Sequence, residues 1–148
     1  SEMCIRDSLD LPHIVAEAGP VLKAEGVEDR VTLVPGNFFD HVPEGADLYL
    51  LVHVIHDWNA VEAQEILAVC ARAMTPQSRL LIVDYVLPEG NEAHPGKLID
   101  MVMLTLTGGE ERSPSEYHTL LQHAGLVMTR TDKVSESLGY VEARLKDA

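Results

Sequence analysis

Asp47-Leu48-Tyr49-Leu50-Leu51-Val52-His53-Val54-Ile55 is an apolar run broken only by His53. A run of this length without strict alternation predicts a strand covered on both faces, as in parallel sheets. Asn59 to Met74 follows, with Val61, Ile66, Leu67 and Cys70 on one side of a helical period. Thr75-Pro76 ends that helix, and Arg79 to Val86 is a second apolar run, closed by Leu87-Pro88-Glu89-Gly90. Strand, crossover helix and strand together predict an α/β fold built on a parallel sheet.

The flanks extend the pattern. Upstream, Asp10 is placed to cap a helix that starts at Pro12, runs through Ile14, Val15 and Ala18, and stops by Gly26. Val31 to Val34 is a short strand, broken by Pro35-Gly36-Asn37. Downstream, Lys97 to Leu106 is an apolar helix stopped by Gly108-Gly109. Ser113-Pro114-Ser115-Glu116 is a capping box opening a helix that ends at Gly125. Leu126 to Thr131 and Gly139 to Leu145 predict an antiparallel hairpin. Ser1 to Ser8 is not a convincing strand, although one is expected before Asp10, and it reads as a foreign extension.

Composition narrows the functional classes. The chain has 148 residues, 46% hydrophobic and 24% charged, which suits one domain with a real core. Its net charge of −13 repels nucleic-acid phosphates and anionic lipid, so neither partner is expected, and the charge reads as a solvated surface. Cys4 and Cys70 have no disulfide or zinc spacing. No apolar stretch approaches ~20 residues and no basic-then-apolar leader is recognised, so a cytoplasmic location is expected.

In open parallel sheets, ligands bind beyond the carboxyl ends of the strands. Asp10, Asn37 with Phe38, His56 with Asp57, and Asp84 occupy those positions. A carboxylate at Asp10 suits both hydroxyls of a ribose, and equally a plain helix cap. Asn37 and Phe38 suit an adenine amino group and ring face, or a turn asparagine followed by a core phenylalanine. His53 and His56 share a face if the chain turns helical there, which makes a metal site with Asp57 a rival. Three or four ligands must converge for that, and no second histidine pair completes the set, so no metal is expected. His56 has the free pKa of ~6.5 that suits a base. It then needs a carboxylate on its other ring nitrogen, and Asp84 and Glu111 are the candidates, although each alone also reads as a surface acid.

Leu9-Asp10-Leu11-Pro12-His13, Gly36-Asn37-Phe38-Phe39, His53-Val54-Ile55-His56-Asp57-Trp58, Leu87-Pro88 and Gly108-Gly109-Glu110-Glu111-Arg112 stand in an order and spacing that resembles the plant-type O-methyltransferases and their bacterial relatives. The resemblance implies a Rossmann-like class I methyltransferase sheet with a reversed last strand. It implies S-adenosylmethionine as cofactor, with Asp10 on its ribose and Asn37 and Phe38 near its adenine. It implies a small, aromatic hydroxyl acceptor, His56 as the base that deprotonates it, Asp84 and Glu111 as flanking acids, and Met101 and Met103 in the acceptor-lining segment. A homodimeric parent is implied too. The sulfonium methyl is already activated, so such an enzyme supplies an oxygen nucleophile and alignment, without a metal.

Departures from the family pattern carry expectations of their own. Asn37 stands where aspartate is common and Val52 where many members carry lysine, so weaker cofactor binding is expected. The family's glycine-rich loop and N-terminal dimerisation domain have no counterpart in these residues. The sheet is therefore expected to be truncated at its N-terminus, with residues 9–148 a partial catalytic domain, inactive alone. Two other readings stay open: a non-catalytic binding or dimer-forming remnant of the fold, and a metal-dependent hydrolase using His53, His56 and Asp57.

Overall fold

In a computed structural model, which describes residues 6–147, β1 (Arg6–Asp10), α1 (Pro12–Ala24) and β2 (Val31–Pro35) form a β-α-β element. The two strands pair in parallel, from Arg6 opposite Val31 to Asp10 opposite Pro35. Pro12 sits in the first turn of α1, where its missing N–H costs nothing. The expected cap differs: Leu11 holds the N-cap position, without a side-chain cap bond. Asp10 still belongs to β1, and its Oδ1 accepts the Leu11 N–H at 2.7 Å. Gly26, at φ +65°, turns the chain after the helix.

β1 begins earlier than the side chains suggest. Arg6, Asp7 and Ser8 are exposed and only Leu9 is partly covered, so the strand is held by its backbone pairing with β2. Three residues of the expected foreign stretch are thus in a strand, and residues 1–5 lie outside the described residues.

This first compact unit ends at Glu44, and the second begins at Gly45. The second holds β3 (Leu48–Val52), α2 (Ala60–Ala73), β4 (Arg79–Asp84), α3 (Gly96–Leu106), α4 (Pro114–His123), β5 (Leu126–Lys133) and β6 (Gly139–Leu145). Its sheet runs β3-β4-β6-β5. β3 and β4 are parallel, and β6 lies antiparallel to both β4 and β5. The expected hairpin is present, and its second strand is the one inserted beside β4.

β3 departs from expectation. It stops at Val52, three residues early, and only its Tyr49 face is buried; Leu48, Leu50 and Val52 stay about half exposed. β3 pairs with β4 alone among the described strands. The core lies on the other side of this sheet. Ile66, Leu67 and Cys70 of α2, Leu80 and Ile82 of β4, Leu126 of β5, Val141 of β6, and Tyr117 and Leu121 of α4 are almost wholly buried. Burying each large aliphatic side chain stabilises by about 1.5–3 kcal/mol. Asn59 caps α2 by accepting from the Val61 and Glu62 N–H groups, and the Ser113–Glu116 capping box opens α4 as its sequence predicts. No helix among the described residues is long and apolar enough to cross a membrane.

Candidate functional site

The polar groups of the second unit gather where β3 and β4 end. The His53 N–H still bonds the Val83 carbonyl at 3.0 Å, but its φ of +52° turns the chain out of the sheet. That left-handed conformation is uncommon for a residue other than glycine, and such positions cluster at functional sites. Ile55–Asp57 then makes one 3₁₀ turn, with Ile55 and His56 buried.

This turn is held from across the sequence. The Arg112 guanidinium, only 3% exposed, donates to the carbonyls of Ile55 at 3.1 Å and Trp58 at 2.8 Å, and to the Glu110 carboxylate at 2.8 Å. The Glu110 N–H donates to the His56 carbonyl at 3.0 Å. Gly109 permits this approach, because a Cβ there would stand 2.1 Å from the His56 carbonyl oxygen. Glu111 is thereby brought alongside His56, with its Oε1 2.7 Å from Nδ1. The Asp100 carboxylate of α3 accepts the Glu111 N–H at 2.8 Å and fixes its backbone.

Asp84 ends β4 and is wholly buried. Tyr117 donates its hydroxyl to Asp84 Oδ2 at 2.9 Å, while Oδ1 has no hydrogen-bond partner and lies 3.9 Å from His53 Nδ1. The rings of His53 and His56 stand 5.1 Å apart, and that of Tyr85 lies near both. Burial raises the Asp84 pKa to about 7, against the opposing pull of His56 and the Tyr117 hydrogen bond. Burial lowers the His56 pKa, but the Glu111 hydrogen bond and the charges of Asp84, Glu111 and Asp57 outweigh it, and the net shift is upward.

Of the two acids expected to orient His56, the geometry pairs Glu111 with it, while Asp84 faces His53. With Nδ1 held by Glu111, the other ring nitrogen of His56, Nε2, stands 3.8 Å from the Asp57 carboxylate. Asp57 does not cap α2, since Asn59 does so. Met101 and Met103 are two positions apart on α3, about 200° around a helix, so they face different ways. Met101 is 65% exposed, and Met103 shares the face of Asp100.

The expected cofactor residues lie in the first unit. Asp10 is exposed at the end of β1, its carbonyl accepting the Gly36 N–H at 2.9 Å, so Asp10 and Asn37 leave the same end of the two-stranded sheet. Asn37 Oδ1 accepts the Phe39 N–H at 3.1 Å, and the Phe38 and Phe39 rings lie 5.2 Å apart.

Sequence reasoning gave no role to Tyr117, Tyr85 or Asp100, and took Gly109 only as a helix stop and Arg112 only as the end of the Gly108-Gly109-Glu110-Glu111-Arg112 motif. The one local signal was the glycine pair before Glu110, which marks a close backbone approach. The others act on partners far along the chain.

Residues 3–127 match the sequence profile of an O-methyltransferase domain. A phenazine O-methyltransferase of Lysobacter antibioticus is 43% identical over 135 residues, covering 91% of this chain and 40% of that protein. A mitomycin biosynthesis 6-O-methyltransferase of Streptomyces lavendulae is 42% identical over 123 residues, covering 83% and 35%. The crystal structure of an O-methyltransferase from neocarzinostatin biosynthesis, in complex with S-adenosylmethionine and 2-hydroxy-5-methyl naphthoic acid, superposes with a TM-score of 0.84 at 33% identity, covering 94% of this chain and 41% of that one. The chain therefore spans 40% and 35% of the lengths of these two relatives. Its α/β fold, with a mixed sheet and antiparallel end, is that of class I methyltransferase structures.

Proposed function

The chain belongs to the O-methyltransferase domain family, and from that footing we propose that its protein transfers a methyl group from S-adenosylmethionine to a hydroxyl of a small aromatic natural product, with His56 as general base. The observation that carries the base assignment is the 2.7 Å contact between His56 Nδ1 and the buried Glu111 carboxylate. The contact fixes the tautomer with the proton on Nδ1 and leaves the Nε2 lone pair to take a proton from the acceptor. As the imidazolium forms, Glu111 stabilises it in a site shielded from water. Asp84 adds negative charge nearby, and Arg112 keeps the turn carrying His56 in place.

The donor set of the first unit fits the cofactor chemically. Asp10 offers an exposed carboxylate for a ribose diol. Asn37 keeps a second lone pair and its amide N–H groups for an adenine edge, beside the Phe38 ring. The cofactor supplies a methyl group already activated on a positively charged sulfur. Met103 is the better placed of the two methionines to meet an acceptor near Glu111.

The test uses the natural full-length protein that contains this chain, with isotopically labelled S-adenosylmethionine and a panel of phenols. Labelled methyl ether is expected, with His56→Gln lowering kcat by roughly 10²–10⁴-fold. Wild-type turnover in His56→Gln sinks the base assignment. Absence of transfer to every hydroxyl acceptor leaves the non-catalytic reading of the fold instead.

A further inference from the structure

We propose that His53, His56 and Asp84 form a binding site for a divalent transition-metal ion, with zinc the best chemical match, at the carboxyl ends of β3 and β4. One donor atom from each of the three lies within 4.8 Å of the others. Four-coordinate zinc with bonds of about 2.0–2.1 Å holds its donors roughly 3.4 Å apart. A small closing movement suffices, and the His53 side chain, 40% exposed, has the freedom to make it.

Three features support a built site. Asp84 Oδ1 is buried without a hydrogen-bond partner, which costs free energy that a cation would offset. Two of the ligands already have the outer partners that metal-binding side chains use: Glu111 holds His56 Nδ1 and leaves Nε2 as the donor, while Tyr117 holds Asp84 Oδ2 and leaves Oδ1. The left-handed backbone at His53 places its ring over His56. Two imidazoles and a carboxylate are a zinc donor set, and of the three side chains that of His53 is the exposed one. The third ligand sits 28 positions after His56 in sequence, so spacing around the histidine pair could not reveal it.

This ion and the proton of the proposed reaction compete for the same His56 lone pair. On that reading, zinc reversibly inhibits methyl transfer, but binding itself does not depend on the reaction. The test therefore measures binding without turnover. The 148-residue chain, freed of metal by a chelator, is equilibrated with zinc chloride and analysed for bound metal. About one equivalent is expected at micromolar zinc. His53→Asn, which tolerates the left-handed backbone but is not a zinc ligand, is expected to weaken binding at least tenfold, and His123→Asn, at an exposed position, to leave it unchanged. Histidine ring NMR gives a second reading in the unaltered chain: zinc should move the His53 and His56 resonances and spare His118 and His123. Failure to retain zinc, equal affinity in His53→Asn, or resonance shifts confined to other histidines would overturn the proposal.

Discussion

His56 Nδ1 and Glu111 Oε1 meet at 2.7 Å across 55 residues of sequence, in a pair almost closed to solvent. The consequences of this contact, and of the scaffold that enforces it, can be measured one residue at a time.

Glu111→Gln keeps an oxygen beside Nδ1 and removes the charge. In the full-length protein, kcat is expected to fall by about two orders of magnitude with KM little changed, because the lost interaction matters most once His56 is protonated. The acidic limb of the kcat/KM profile, where the base becomes protonated, should move to lower pH, since the Glu111 bond and charge hold the His56 pKa up. A parallel rise in KM with an unmoved pH profile would mean that Glu111 serves structure alone.

The pH dependence of stability has a definite sign. The folded pKa of His56 is raised, so its contribution is complete below the unfolded value of ~6.5 and disappears as pH rises through the folded one. Asp84, raised to about 7, also binds its proton more tightly in the folded chain, and burial of its charge opposes folding once it ionises. Asp84 makes stability fall as pH rises from about 4 to about 7, and His56 makes it fall further as pH rises above about 6.5. Urea midpoints across that range should decline, and Asp84→Asn should flatten the slope.

Gly109→Ala places a methyl group 2.1 Å from the His56 carbonyl oxygen and 2.5 Å from the Asp57 carbonyl carbon. Backbone must move, at a cost of about 1–3 kcal/mol, as in overpacked sites. Urea unfolding measures the loss, and the His56 Nδ1–H resonance should shift as Glu111 is displaced.

Arg112→Lys retains the charge but cannot span the carbonyls of Ile55 and Trp58 together. A loss of roughly 2–3 kcal/mol is expected from calorimetry or denaturant unfolding. A lysine variant as stable as wild type would show that the guanidinium fork is not what holds the turn.

Tyr117→Phe removes the hydrogen bond on Asp84 Oδ2 inside the core. The chain should lose about 1–3 kcal/mol, and the Asp84 pKa should climb above about 7, because that bond favours the ionised form. Carboxyl-carbon NMR titration reads the second effect separately from stability.

The sequence made legible whatever is written locally. α2, α3 and α4, with their caps and glycine stops, lie within a residue or two of their predicted bounds. The hairpin and the pairing of a histidine with a returning carboxylate were legible as well. The end of β3 was not: Val54 and Ile55 are as apolar as the strand before them, and only the backbone angle of His53 takes them out of the sheet. β1 escaped notice for the opposite reason, since its pairing needs backbone and not apolar side chains. Assigning Glu111 and Asp84 to different histidines required distances. Tyr117 looked like any core aromatic, because nothing in a helical period reports that its hydroxyl ends on a buried carboxylate.

The insertion of β6 between β4 and β5 sets an order of events during synthesis. As the chain leaves the ribosome, β3, α2 and β4 can associate early, but one edge of β4 has no partner until residues 139–145 have emerged. β5 emerges sooner and must wait, because among the described strands it pairs with β6 alone. A translational pause in the interval would hold an open strand edge in the nascent chain, the kind of surface that chaperones cover and that self-association exploits.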